Sequence, residues 1–280
     1  MVAVKPDFAD HDLRAELVFD RFLGGDDLDQ LQEVLLAVAP RWCRKLRVWK
    51  SAREQLPVDA SDPEALAAAV LAGAGERGET YESLVEAHGQ PPHDRFAGSV
   101  ELRGSGPELT VVVSVDLMVL SRLGPKRHLG NSVALQVRRS KVEGRPAADW
   151  LRSTFETLCG SLCPAWGAAG HPDEYWSKVM SDEPPIRSVG RDFGRFLPGV
   201  FWLNFFGQPY AELLGRERLE SAPAADVVGD GIVVAVGADP RHWDDPTTAG
   251  IEQQLRDHLG PELFFTKGDP DRPGVVPDWG

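Results

Sequence analysis

The stretch LPGVFWLNFFGQPYAELLGRERL, residues 197–219, decides the fold that the sequence predicts. Its first half, residues 200–206, surrounds a single polar Asn204 with aromatic, β-branched and leucine side chains, which is typical of a buried strand. Pro209 then stands where a first helical residue is favoured, and Gly215 stands where a helix commonly ends. We therefore expect a central strand that turns at once into a short helix.

Helical and strand patterns alternate through the rest of the chain. Apolar residues that recur every three or four positions predict amphipathic helices, and strict alternation predicts half-buried strands. The middle third of the sequence shows strand patterns joined by short turns, which favours an antiparallel sheet. The predicted helices cover residues 28–38, 64–72, 81–87, 146–162, 171–179 and 246–259, and the predicted strands cover residues 18–23, 99–103, 109–115, 133–137, 165–167 and 232–236.

These elements together predict an α+β fold with a mostly antiparallel central sheet, flanked by about four to five helices. Residues 1–265 are expected to form a single α+β domain, or two packed halves that meet within residues 141–146. Residues 266–280 are rich in proline and glycine, so an extended or disordered tail is expected there.

The composition combines an ordinary globular core with a strong excess of negative charge. Of 280 residues, 42% are hydrophobic and 26% are charged, and 43 acidic against 30 basic residues give a net charge of −13. Such a field repels nucleic-acid phosphates and anionic lipid, and it speeds encounter with a basic partner. We therefore expect no nucleic-acid partner and no membrane partner, although solubility alone is an equally simple reason for the charge.

One basic and aromatic stretch, RWCRKLRVWK at residues 41–50, stands apart from this acidic background. It is open to two interpretations. It could bind an anion or phosphate beside Trp42 and Trp49, or it could be an edge strand whose basic side chains stay solvated. Lysine and arginine commonly protect exposed sheet edges, so the second interpretation is favoured.

The sequence shows no sign of export or membrane insertion. The first residues lack an apolar segment of signal-peptide length, and no apolar run approaches the roughly 20 residues that span a bilayer. Three cysteines, Cys43, Cys159 and Cys163, make an odd number in a long chain, which argues against a disulfide framework. A cytoplasmic, reduced protein is expected.

Motifs for cofactors are incomplete. Residues 124–132, GPKRHLGNS, have five residues between the glycines and Asn131 in place of the lysine that a phosphate-binding loop needs. The segment Gly104–Ser105–Gly106 lacks the third glycine of a dinucleotide fingerprint and is expected to be a turn. Cys159 and Cys163 have no second Cys/His pair of matching spacing, so we expect buried thiols rather than a metal site. No cofactor and no bound metal are predicted.

Two short clusters leave an enzyme open as the alternative. His171, Asp173 and Glu174 place three titratable groups within four residues, as a metal site or a general base requires, and His242 with Asp244 is similar. Both clusters also fit helix starts, where acidic side chains complement the helix dipole. The alternative function is a small metal-dependent hydrolase, but no catalytic motif supports it.

The order of these segments resembles immunity proteins of bacterial polymorphic toxin systems. The similarity to the Immunity protein 52 family runs through APRWCRKLRVWKSAREQLPVD, EALAAAVLAG, NSVALQV, LCPAWGAAG and GVFWLNFFG. The longer segment WLNFFGQPYAELLGRERLESAPA, followed by a strand and HWDDP, is also similar to type VI secretion immunity-like proteins. The resemblance covers roughly residues 17–260.

This resemblance implies a cytoplasmic α+β protein without a cofactor or catalytic activity, which binds a cognate toxin and blocks its active site. Related proteins are associated with nuclease-type toxins, and a nuclease needs a basic surface to hold its phosphate substrate. The net charge of −13 would complement such a surface. The expected toxin-binding residues are the acidic residues Asp26, Asp27, Asp29, Asp244 and Asp245, each of which also fits a helix cap. A scaffold or self-associating domain is a third hypothesis, and the oligomeric state stays open.

Overall fold

The structure is a computed structural model that describes residues 12–21, 23, 25–38, 47–49, 55–57, 62, 65, 98–105, 110–117, 131–138, 145–181, 190, 192–269 and 272–278. Within these ranges the strands are β1 (Leu13–Phe19), β2 (Arg47–Trp49), β3 (Gln55–Pro57), β4 (Gly98–Ser105), β5 (Thr110–Leu117), β6 (Asn131–Arg138), β7 (Trp166–Gly170), β8 (Leu203–Phe206), β9 (Ala225–Val228) and β10 (Gly231–Ala235). The helices are α1 (Gly25–Val38), α2 (Arg145–Leu162), α3 (Pro172–Val179), α4 (Gln208–Leu214), α5 (Arg216–Glu220) and α6 (Pro246–Leu259).

The described strands form one sheet in the order β3-β2-β4-β5-β6-β1-β7-β8-β10-β9, and every neighbouring pair is antiparallel. The helices lie on its faces, so the predicted α+β class with a mostly antiparallel sheet is confirmed. The hairpin of β4 and β5 and its pairing with β6 confirm the antiparallel middle third.

The sheet separates two hydrophobic cores, because side chains alternate between its faces. One core packs Leu17 of β1 and Phe205 of β8 against Leu35 of α1 and Phe155 of α2. The other core lies on the opposite face and contains side chains from β7, β8, β10, α4, α5 and α6. Its buried members include Trp166, Phe206, Tyr210, Leu219, Ile232, Val234, Leu255 and Leu259.

The strand predicted at residues 200–206 begins only at Leu203. The reason is Asn204, whose side-chain oxygen accepts from the Phe201 N–H at 2.8 Å and whose amide donates to the Phe201 carbonyl at 2.7 Å. These bonds hold the buried residues before Leu203 in a bend rather than a strand. Within the described part of the chain, β8 is a buried interior strand between β7 and β10, with β9 beyond β10.

The helix predicted after that strand is confirmed. Pro209 lies in the first turn of α4, and Gly215 ends it with a φ of 83°, a backbone conformation that favours glycine. The helices α2, α3 and α6 also follow the predicted bounds closely. The helix α6 has the predicted cap, because the Asp245 side chain accepts from the Thr247 N–H at 2.8 Å.

Two predicted boundaries near the amino terminus were wrong. The strand β1 covers Leu13–Phe19 rather than residues 18–23, because the apolar alternation that is buried in the sheet ends at Phe19. The helix α1 begins at Gly25, so Asp26 and Asp27 lie in its first turn rather than at a capping position. There they complement the positive end of the helix dipole.

Several expectations fall on residues outside the described ranges. These are the helix at 81–87, most of the helix at 64–72, the phosphate-loop-like segment before Asn131, the first part of the basic stretch at 41–50, and Cys43. The basic stretch does enter a strand at Arg47, which lies next to the outermost strand β3.

The carboxyl-terminal residues 272–278 contact the rest of the molecule. The Val275 N–H donates to the Glu262 carbonyl at 3.2 Å, and the Arg195 guanidinium donates to the Arg272 carbonyl at 3.3 Å. Pro277 is buried. This segment has little regular secondary structure but lies against the body of the protein.

Within the described ranges, no helix combines the length and the apolar character that a membrane crossing requires.

Candidate functional site

The strand register brings four connections together at one end of the sheet. Val18 near the end of β1 pairs with Trp166 at the start of β7, and Trp166 also pairs with Phe206 at the end of β8. Phe206 in turn pairs with Ile232 near the start of β10. Because these strands are antiparallel, the segments that follow β1 and β8 and those that precede β7 and β10 converge at the same end.

A cleft of about 830 Å³ opens where these segments converge. The start of α4 and the carboxyl-terminal segment complete its walls. The described residues that line it are Asp20, Arg21, Cys163, Pro164, Phe205, Gly207, Gln208, Pro209, Glu212, Leu213, Asp230, Gly231, Pro277 and Asp278. A concave volume of this size is in the usual range for a binding site.

The polar lining of the cleft is mainly acidic. Four exposed carboxylates, those of Asp20, Glu212, Asp230 and Asp278, come from four different segments of the chain. The Glu212 carboxylate accepts a hydrogen bond from the Gln208 side chain at 2.8 Å, which holds it along α4. The apolar part of the lining includes the half-buried Pro209 and the exposed Leu213, so the cleft offers both negative charge and apolar surface.

Arg21 is the cation among the described lining residues, and its charge is engaged within the protein. Its guanidinium donates to the Asp27 carboxylate at 2.6 Å and to the carbonyls of Leu162 at 2.8 Å and Cys163 at 3.2 Å. These carbonyls lie at the negative end of α2, where a cation is favourable. Arg21 therefore caps α2 and leaves the acidic character of the cleft in place.

Cys163 lies on the cleft wall, just after α2. The prediction that both helical thiols are buried is correct for Cys159 but wrong for Cys163, which is exposed. Its backbone has a φ of 46°, so the chain turns there and directs the residue out of the helix. Burial raises the pKa of the Cys159 thiol well above its ordinary value, with smaller contributions from Glu156 and Cys163.

The five acidic residues predicted to bind a toxin are divided between the two faces of the sheet. Asp26, Asp27 and Asp29 lie on α1, whose apolar side belongs to one core. Asp244 and Asp245 precede α6, whose apolar side belongs to the other core. Asp27 is connected to the cleft through Arg21, and none of the five lines the cleft among the described residues.

Local roles account for two of these acidic residues. Asp245 caps α6, and its hydrogen bonds with Thr247 lower the pKa of its carboxyl. Asp27 holds Arg21, and its side chain is only 19% exposed. Asp26 and Asp244 are exposed to solvent.

His171, Asp173 and Glu174 lie at the start of α3, where the side chains of His171 and Glu174 make their contacts in different places. The buried His171 ring caps α3, since its Nδ1 accepts from the Asp173 N–H at 3.1 Å. Glu174 instead reaches Lys178 one turn further along α3, at 2.8 Å. The cavity beside His171 measures about 10 Å³, which is room for roughly one water molecule.

Glu174 belongs to a chain of alternating charges that joins α3 to α6. The Lys178 ammonium contacts Glu174 at 2.8 Å and Glu252 at 2.9 Å, and it also donates to the Val200 carbonyl. Glu252 in turn accepts from Arg256 at 3.2 Å. Burial raises the pKa of Glu174, and the charge and hydrogen bond of Lys178 oppose this effect.

His242 and Asp244 lie in the turn before α6. His242 is the last residue of a short 3-10 turn, and its carbonyl accepts from the Asp245 N–H at 3.1 Å. Among the residues that the structure describes, no group of three or more His, Cys, Asp or Glu residues is placed to hold a metal ion.

Sequence reasoning missed the acidic residues that actually line the cleft. Asp20 and Asp230 each follow a strand and look like ordinary turn residues, and Glu212 looks like an exposed residue of a short helix. The one available signal was that the turns after Phe19 and before Gly231 both carry an aspartate. Only the strand order and register show that these turns lie at the same end of the sheet, with β7 and β8 between their strands.

No family model matches the sequence, and the comparison with curated proteins found no match. Among solved structures, the chain is similar to the Pseudomonas aeruginosa T6SS protein PA0821, with a TM-score of 0.49 and 16% sequence identity. The match covers 95% of this chain and 76% of the other. At this level of similarity, the function of the chain has to be inferred from its own residues.

Proposed function

We propose that this protein is an immunity protein, which binds a basic toxin domain through the acidic cleft and inhibits it without catalysing a reaction. The observation that supports the proposal is the cleft of about 830 Å³, whose lining brings together Asp20, Glu212, Asp230 and Asp278. A nuclease is the favoured class of toxin, because its phosphate-binding surface must be basic.

The charge of the whole chain supports the same partner. A net charge of −13 accelerates association with a basic surface over distances of about one Debye length. The four cleft carboxylates then provide short-range complementarity to lysine or arginine side chains. The apolar walls, which include the half-buried Pro209 and the 36%-exposed Leu213, can pack against the stems of those side chains.

The experiment measures binding to a basic toxin domain that is encoded next to this protein, by calorimetry at about 0.1 M and about 1 M salt. The Debye length falls from about 10 Å to about 3 Å between these conditions, so affinity is expected to fall steeply. The double variant Asp20→Asn with Asp230→Asn is expected to bind at least about tenfold more weakly at low salt, and to lose part of the salt dependence.

A matched control removes the same amount of charge outside the cleft. Glu217→Gln on α5 and Asp257→Asn on α6 change two exposed carboxylates that do not line it. Their combined variant is expected to keep nearly the wild-type affinity. Equal losses in both double variants would mean that total charge, and not the cleft, determines binding. Hydrolysis of a substrate by the purified protein with added divalent metal would support the enzyme alternative instead.

A further inference from the structure

The strand β9 is the last strand at one end of the sheet within the described part of the chain. It pairs only with β10, in a register that sets Ala225 opposite Val234 and Val228 opposite Gly231. Packing on both faces of the sheet holds β9 in place, because Val228 packs against one core and Ala225 packs against the other. Among the described residues, no strand pairs with its outer side, which is an open sheet edge.

The hydrogen bonds of this pair show which backbone groups face outward. The Ala235 N–H donates to the Ala224 carbonyl at 3.2 Å, so these two residues form a hydrogen-bonded pair. Hydrogen-bonded and non-hydrogen-bonded pairs alternate along an antiparallel ladder. Ala225 and Val227 therefore belong to non-hydrogen-bonded pairs with β10, and their N–H and C=O groups point away from the sheet.

These outward groups are not hydrogen-bonded within the described part of the chain. No other segment of the described chain makes a hydrogen bond to Ala225 or Val227. The Val227 residue is 58% exposed, more than any other large hydrophobic residue in the described ranges. Two donors and two acceptors beside an exposed valine form a template for one more strand.

We propose that the outer edge of β9 binds an extended, basic segment of the partner as an added antiparallel strand, which continues from the segment held in the acidic cleft. This inference rests on the proposed function. The cleft reaches the turn at the end of β9, since Asp230 lines the cleft and stands two residues after Val228. Strand addition of this kind takes its affinity from main-chain hydrogen bonds and its specificity from alternate side chains.

Asp226 determines which strand the edge accepts. Two copies of β9 could satisfy all four outward groups only by pairing Ala225 with Val227 of the other copy, and this register sets the two Asp226 residues directly opposite each other. Like charges opposite each other in a sheet are unfavourable. A lysine or arginine at that position is favoured, so the edge disfavours self-pairing and prefers a basic segment.

The side chains around Asp226 preserve the preference for a basic segment. Its carboxylate accepts from Arg152 at 3.0 Å, and Arg152 also pairs with Glu156 at 2.7 Å. The three side chains together retain one net negative charge. A basic residue of the added strand would therefore meet an acidic group on the α2 side, and an apolar residue next to it would meet Val227 on the other side.

The test uses the full chain and a fluorescent peptide of alternating lysine and valine, with binding followed by fluorescence anisotropy. Val227→Pro removes an outward N–H without removing a bond to β10, and proline is tolerated where an edge N–H faces solvent. We expect it to weaken peptide binding by about tenfold. Val227→Thr is the matched control, because it keeps the N–H and the β-branched shape, and it should bind almost as the wild type does.

A second variant tests the inference if Val227→Pro unfolds in a urea titration. Asp226→Lys leaves the backbone intact and should reverse the preference, so that a glutamate–valine peptide binds better than the lysine–valine peptide. Equal peptide binding by Val227→Pro and Val227→Thr would overturn strand addition. If the variant Asp20→Asn with Asp230→Asn still lost binding in that case, the cleft proposal would remain standing. Dimers in sedimentation that Val227→Pro abolishes would identify a second copy as the occupant, which would also overturn it.

Discussion

Gly207 lies directly against the backbone of Pro164 at the floor of the acidic cleft. A β-carbon at Gly207 would overlap the Pro164 carbonyl oxygen and would be 3.0 Å from that of Ala165. The Gly207 N–H also donates to the Ala165 carbonyl at 3.0 Å. This close approach joins the end of β8 to the segment before β7, and it thereby fixes the distance between two walls of the cleft.

We expect Gly207→Ala to destabilise the protein by about 3 kcal/mol, at the upper end of typical overpacking costs, because backbone atoms cannot move away as a side chain can. Urea denaturation measures the change. Gly250→Ala is the matched control, since Gly250 lies within α6 with nothing near its β-position and should gain about 0.5–1 kcal/mol from helix propensity. An unchanged midpoint for Gly207→Ala would contradict the close contact.

The ammonium of Lys178 is predicted to be essential for the packing of α3 against α6. Lys178→Met removes the group that lies between Glu174 and Glu252, whose side chains are 3% and 18% exposed. Loss of one partner leaves buried charge uncompensated, so we expect a loss of about 3 kcal/mol or more in the free energy of unfolding. Denaturant titration at neutral pH provides the measurement.

The exposed pair of Arg216 and Glu220 offers the control for that experiment. It has the same spacing of four residues and a distance of 2.8 Å, but its side chains are 45% and 42% exposed. Glu220→Gln is expected to change stability by less than about 1 kcal/mol. If Lys178→Met were equally mild, the Lys178 network would have no structural importance.

Most of the local structure could be predicted from the sequence, because its signals are local. Asp245 and Pro246 mark the start of α6, and Gly260 marks its end directly after Leu259, so each signal stands next to the boundary that it predicts. The strand ending at Phe206 and the helix around Pro209 were predicted for the same reason, through turn residues and apolar patterns. Asn204 was visible too, but its hydrogen bonds to the preceding backbone were not.

The candidate site could not be predicted, because it depends on strand order. Asp20 and Asp278 are separated by most of the chain, and no local pattern indicates that β1 pairs with β7 or that the carboxyl-terminal segment reaches the same end of the sheet. Asp26 and Asp245 were predicted to bind a toxin because acidic residues at helix starts are easily recognised in a sequence. The dipole and capping energies explain them without a partner.

The buried Glu174 carboxyl predicts a pH dependence of stability. Burial raises its pKa above 4.5 in the folded protein, so its contribution to folding is fully present below the unfolded pKa and is lost as pH rises through the folded pKa. Glu174→Gln does not ionise. We therefore expect the stability of Glu174→Gln relative to wild type to increase as pH rises above 4.5, measured by urea denaturation at several pH values.

A pH-independent difference between Glu174→Gln and wild type would contradict the raised pKa. Glu220→Gln again serves as the control, because it makes the same substitution at an exposed carboxyl outside the Lys178 network.

Cys163 is predicted to report occupancy of the cleft. Its thiol is exposed on the cleft wall, whereas Cys159 is buried with a raised thiol pKa, so iodoacetamide should modify Cys163 quickly and Cys159 slowly. A lysine-rich peptide bound in the cleft should slow modification of Cys163 severalfold, as measured by mass spectrometry of the digested protein. The same peptide should give no protection in the variant Asp20→Asn with Asp230→Asn, which binds it weakly. Full reactivity of Cys163 at saturating peptide would place the basic segment elsewhere on the surface and would contradict the assignment of this cleft.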